Sequence, residues 1–145
     1  MKKCLAVCLA VVMVGFATGC GSDTKTLTCT MDQNVAMMDM KQTVNVTFKK
    51  DSVTKMEIVQ DVKVSDSYAS YMDQIKESLE GEMESYKEMG LNVTTKTDGN
   101  NIKVSMTADL TKMSDEDKEN LDLLDAKASR SDAKKAFEDA GYTCK

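Results

Sequence analysis

The reactive side chains of this 145-residue chain are five cysteines and twelve methionines, and their spacing divides them into groups. Cys4, Cys8 and Cys20 belong to an apolar N-terminal run, whereas Cys29 and Cys144 lie at opposite ends of the remaining chain. The run opens with Met1-Lys2-Lys3, is almost wholly apolar from Leu5 to Ala17, and closes on Phe16-Ala17-Thr18-Gly19-Cys20. A positive start, a short apolar stretch and small residues before a cleavage point are the parts of an export signal. The stretch is too short for the roughly 20 apolar residues of a spanning helix. A small residue directly before a cysteine is the mark of a bacterial lipoprotein signal; the usual pattern has Leu three positions earlier, where this chain has Ala17. The expectation is cleavage after residue 19, which makes Cys20 the lipidated first residue of the mature protein, with 20–25 as its tether. An ordinary secretory signal is the alternative. At about 0.8 kcal/mol per buried CH₂, two acyl chains of the palmitate type anchor stably where one does not.

Cys29 and Cys144 then remain as a pair. Outside the cytoplasm an even pair favours a disulfide. Two free buried thiols, or a thiolate metal site, are the competing readings. In the chain-entropy treatment, closing a loop of about 100 residues is worth about 4.7 kcal/mol.

Composition excludes more than it assigns. Removing the signal takes away two of 19 basic residues and none of 24 acids, so the mature chain carries 17 against 24, a net charge of −7. An acidic domain is poorly suited to nucleic acid or to anionic lipid surfaces. Histidine is absent, which removes Ser-His and Cys-His nucleophile pairs, histidine metal sites and the commonest general base. Proline is absent too, which argues for compact elements joined by short turns rather than a stiff spacer.

Three further clusters could do chemistry. Met37, Met38 and Met40 stand close together, and thioethers bind Cu(I); the competing reading is gap-filling core methionine. Asp115, Asp117 and Glu119 alternate like the opening of a calcium loop, but the sixth position is Asn120 and the twelfth Ala126, where such a loop has Gly and Glu. Acids at a helix start, stabilised by its dipole, account for the run instead. Tyr68, Tyr71 and Tyr86 share the apolar side of a helical pattern and could line a groove or simply pack on a sheet. No glycine-rich phosphate loop or nucleophile elbow occurs.

The elements that position these residues follow from periodicity. Thr26 to Met31 alternates, with Leu27, Cys29 and Met31 on one face, and Asp32-Gln33-Asn34 reads as a turn. Met38 to Lys49 resumes the alternation with Val44, Val46 and Phe48 inward. After Lys50-Asp51-Ser52, Met56, Ile58, Val62 and Val64 share a face that Gln60 interrupts. From about Asp66 to Met89 the period changes to three and four, which predicts an amphipathic helix. Ser65, Asp66 or Ser67 caps it, Gly90 ends it, and Gly81 costs about 1 kcal/mol inside it. Asn92 to Lys96, the hairpin signal Asp98-Gly99 and a face of Ile102, Val104, Met106 and Ala108 predict two more strands. Ser114-Asp115-Glu116-Asp117 starts a short helix with Leu121 and Leu124 as its apolar contacts. Ser131 caps a last helix bearing Ala133, Ala136, Phe137 and Ala140, and Tyr142-Thr143-Cys144 is a final strand. If that strand pairs near the first, Cys144 reaches Cys29.

The lipoprotein start, the hairpins ordered around a long helix and the closing block Ser131-Asp132-Ala133-Lys134-Lys135-Ala136-Phe137-Glu138-Asp139-Ala140-Gly141-Tyr142 together resemble the YehR-like family of small bacterial lipoproteins. The resemblance implies an α+β domain on a lipid anchor and transfers no catalytic residue.

The fold expected is therefore α+β: an antiparallel sheet of five to six strands in the order β-β-β-α-β-β-α-α-β, with one long helix on one face. Residues 1–19 are expected as signal, 20–25 as lipidated cysteine and tether, and 26–145 as a single domain. The functional expectation is a non-enzymatic binding module of the cell envelope. It would be monomeric, without a cofactor, anchored to the bacterial cell membrane through Cys20, and would take an envelope protein or small ligand through the sheet face or the helix–sheet groove. Methionine-based Cu(I) handling is the first alternative, and a hydrolase using carboxylates alone is the second.

Overall fold

The computed structural model describes residues 23–35, 37–120 and 127–145. The expected lipidation site Cys20, the expected signal, and the expected helix contacts Leu121 and Leu124 lie outside the described residues.

Six strands form one antiparallel sheet in the order β4-β5-β3-β2-β1-β6. The first three, β1 (Thr24–Val35), β2 (Met38–Lys49) and β3 (Ser52–Val64), make the meander. A 3-10 segment (Asp66–Tyr71) leads into α1 (Met72–Glu88). β4 (Asn92–Asp98) and β5 (Asn101–Asp109) form the second hairpin, which turns through Gly99 at φ +55°. α2 (Asp115–Asn120), α3 (Arg130–Asp139) and β6 (Thr143–Cys144) complete the chain. The fold is α+β, with the element order that the periodicity implies.

The alternation decides which face is buried. Register stacks Leu27, Val46, Met56 and Ala108 in one row, and Cys29, Val44, Ile58 and Met106 in the next. All but Ile58 are buried, and each fully buried Leu or Val among them is worth about 1.5–3 kcal/mol relative to exposure. Met72 and Met83 of α1 and Ala133 of α3 close over them. Alternate residues form an open polar face, across which Thr28 donates to Asn45 Oδ1 (2.9 Å) and Asn45 Nδ2 donates to Glu57 (3.2 Å). At the Thr47/Phe48 step the β2–β3 register shifts. This bulge keeps both Val53 and Met56 buried although they are three residues apart.

Three local expectations are corrected. Asp32, Gln33 and Asn34 continue β1, opposite Lys41, Met40 and Asp39, and the strand runs on to Val35. Turn-type residues are held in the ladder by their partners: the Asn34 amide donates to the Asp39 carboxylate beside it, and strand propensity yields to such cross-strand pairing. The long helix begins with a 3-10 segment entered at Ser65, with no side-chain cap. The last helix is capped by Ser129, whose Oγ accepts from Asp132 N (3.2 Å), and Ser131 lies inside it. In contrast, Ser114 caps α2 as expected, its Oγ accepting from Asp117 N (3.1 Å).

Candidate binding groove

The meander brings two separate sequence features together. β2 begins at Met38 directly opposite Val64, the last residue of β3. Ser65 N donates to Met37 O (3.0 Å), which pins the start of the 3-10 segment to the β1–β2 turn. That contact sets Tyr68 and Tyr71 beside Met37 and Met38. Their rings stand 6.3 Å apart and tilted by 43°.

The result is a groove of about 560 Å³ between the first half of α1 and the end of the sheet. Its floor is Met40, Gln60, Val62 and Val64; its end wall is Met37, Met38, Tyr68 and Tyr71; its helix wall is Gln74, Ile75, Ser78 and Leu79. Met37 and Tyr71 are the large apolar side chains most open to solvent among the described residues, at 46% and 53% exposure. Gln60, the polar interruption of the β3 face, falls on the groove floor by register. An apolar concavity with a few polar groups has the form of a small-ligand or side-chain site, and its volume falls in the common range of about 300–1,000 Å³.

Tyr86, grouped with the other two tyrosines by periodicity, does not join them. It lies 15 residues beyond Tyr71, about 22 Å along the helix, and its hydroxyl donates to Glu82 (3.4 Å). Burial, and then the charge of Glu82 and this hydrogen bond, raise its pKa.

On the opposite face, at the same end of the sheet, a broader trough of about 1030 Å³ is lined by Asp32, Asp39, Asp61 and Asp98 alternating with Lys41, Lys63, Lys96 and Lys103. Lys103 pairs with Asp61 at 3.2 Å, both half-exposed. Its four aspartates balance its four lysines, as expected of a solvated strand face. Asp115, Asp117 and Glu119 lie on or beside the first turns of α2, with Lys118 paired to Asp115 at 3.1 Å. Among the described residues no group of three or more His, Cys, Asp or Glu side chains has the arrangement of a metal site.

Cys29 and Cys144 meet where β6 pairs with β1, and their sulfurs are bonded at 1.97 Å. Phe137 and Tyr142, packed edge to face at 5.3 Å, bring β6 back from α3 to that position.

No known protein family and no curated protein matches the sequence. Among solved structures, the chain is similar to a protein from Streptococcus pneumoniae TIGR4 determined by NMR, at a TM-score of 0.54 and 18% sequence identity over 84% of this chain and 85% of that one. At that identity the likeness shows the fold alone.

Proposed function

We propose that this chain is a lipid-anchored, extracytoplasmic, non-enzymatic binding module that holds an apolar ligand, or an apolar part of an envelope partner, in the groove between α1 and the sheet. The groove carries the reading: open apolar side chains and tyrosines converge on a concavity of about 560 Å³. The Cys29–Cys144 bond supports an oxidising compartment, because such bonds are rare in the cytosol.

The anchor adds a direction. A tether ending at Thr24 enters the Lys49 end of the sheet, whereas Met38 and Val64 occupy the other end. Twelve strand residues at about 3.3 Å each put roughly 35 Å between them. The groove therefore opens away from the anchoring membrane, toward partners in the envelope.

The test is native mass spectrometry of the protein extracted gently from its own membrane. A lipid increment on a chain beginning at Cys20, with a further mass lost in the Ile75→Glu variant, is expected. An unlipidated chain removes the anchor, and an adduct unaffected by Ile75→Glu removes the groove.

A second reading rests on Met37, Met38 and Met40 lining one wall and floor of the same groove, where thioethers could take Cu(I). Competition against a Cu(I) chelator decides it: the reading requires retention of the ion that is lost when the three are changed to Leu.

A further inference from the structure

We propose that the groove's ligand is a small uncharged amphiphile: a hydrocarbon body seated among the methionines and tyrosines, joined to a neutral ester, amide or hydroxyl group that hydrogen-bonds to the Gln60 amide. This rests on the groove reading above and adds the class of ligand.

The lining selects against charge. No residue of the groove carries one: its polar groups are Gln60 on the floor, Gln74 and Ser78 on the helix wall, and the hydroxyls of Tyr68 and Tyr71. An ion seated there loses water and gains no counter-charge, which is costly.

The lining selects equally against hydrocarbon alone. Register sets Gln42 and Gln60 side by side across β2 and β3, in the row between Met31 and Val104. They interrupt a face whose alternate residues are otherwise apolar, from Met38 to Phe48 on β2 and from Met56 to Val64 on β3. Both are half-buried, and neither side-chain amide has a hydrogen-bond partner among the described residues. A wholly apolar ligand lying over Gln60 would strip it of water and leave its donors and acceptor unmade. A neutral polar group placed against it restores those bonds, so an uncharged amphiphile satisfies both parts of the lining.

The groove's form suits a compact molecule rather than a chain running through it. From Gln60 to Val64 the floor is about 13 Å long. Met37, Met38, Tyr68 and Tyr71 stand at its outer end, and beyond Leu79 the helix closes on the sheet through buried Met83. The methionines are unbranched and polarizable, and adapt to hydrocarbon bodies of differing shape.

The test uses the full chain in zwitterionic bilayer discs, with ¹³C-methyl methionine as reporter and free probe measured against empty discs. The probes share one chain and differ in the head: octanamide, octanoate and octylammonium. Octanamide is expected to shift the Met37, Met38 and Met40 methyls, leave Met56 in place, and bind about tenfold more tightly or better than either ion. That margin is expected to persist at about 0.5 M salt, because it comes from desolvation and not from the domain's net charge, whose field is screened there. Gln60→Leu is expected to narrow the margin. Tyr71→Ser with Met37→Ser, both exposed, is expected to weaken all three probes alike. An ion that binds as tightly as octanamide, or a margin that Gln60→Leu leaves intact, overturns the neutral amphiphile while the groove stands. Groove methyls that respond to none of the probes overturn both.

Discussion

Cys29 and Cys144 face each other directly across the β1–β6 ladder, their Cα atoms 4.1 Å apart, so a covalent bond duplicates a strand pairing only two residues long. With so few hydrogen bonds of its own, β6 depends on that bond and on the packing of α3. The bond spans a separation of 115 residues, so the double variant Cys29→Ala, Cys144→Ala is expected to lose about 3–5 kcal/mol. Urea unfolding of oxidised protein, reduced protein and the variant measures it. Coincident transitions for all three would mean that the bond constrains nothing beyond what packing already holds.

Gly81 lies in the middle of α1 with open space around the position of an added Cβ. Ala there removes unfolded-chain entropy and meets no obstacle, so Gly81→Ala is expected to stabilise by about 1 kcal/mol. A higher midpoint in thermal melts checks it; a lower one would mean that this flank of α1 requires glycine for a close approach.

The α3 cap distinguishes two serines. Ser129→Ala is expected to cost about 1 kcal/mol because Asp132 N loses its acceptor. Ser131→Ala, inside the helix, is expected to change stability by only a few tenths. Chemical denaturation of the pair tests the assignment, and a reversed order would return the cap to Ser131.

Asp109 has a pKa below the ordinary carboxylate value because Thr111 and Lys112 hydrogen-bond its charged form. A lowered folded pKa means that the stability from this turn is present above the unfolded value of about 3.9 and is lost as pH falls through the lower folded value. Carboxyl ¹³C titration is expected to place the Asp109 midpoint below that of a free aspartate, and Thr111→Val is expected to move it upward.

The strands were legible because their inner faces alternate without compromise: Val44, Val46 and Phe48, or Ile102, Val104 and Met106, admit one register with a buried face. Asp32-Gln33-Asn34 misled because side-chain type signals a turn only where no partner strand stands opposite. Ser131 misled because a second serine, Ser129, stands two positions before it, and only the backbone geometry at Ser129 selects the cap. The groove was legible in its parts, as a methionine cluster and a row of tyrosines, but not as a whole. Its assembly depends on the contact between Ser65 and Met37, 28 residues apart in sequence, and on the 3-10 start of the helix, which sets Tyr68 and Tyr71 at the end of the sheet while Tyr86 stays with Glu82. Local periodicity carries no information on either.

The Cys29–Cys144 bond also makes the domain a closed covalent ring. A protease that cuts once between those residues, for example in the Gly99 hairpin, leaves two pieces joined through sulfur, and both remain attached to whatever holds the chain upstream of Cys29. A single nick therefore releases nothing. With the chain anchored through Cys20 as proposed, freeing the whole domain would take a cut upstream of Cys29, and freeing part of it two cuts between the cysteines or one cut together with a reductant. A nicked population consequently runs as one band on a denaturing gel until reductant separates it.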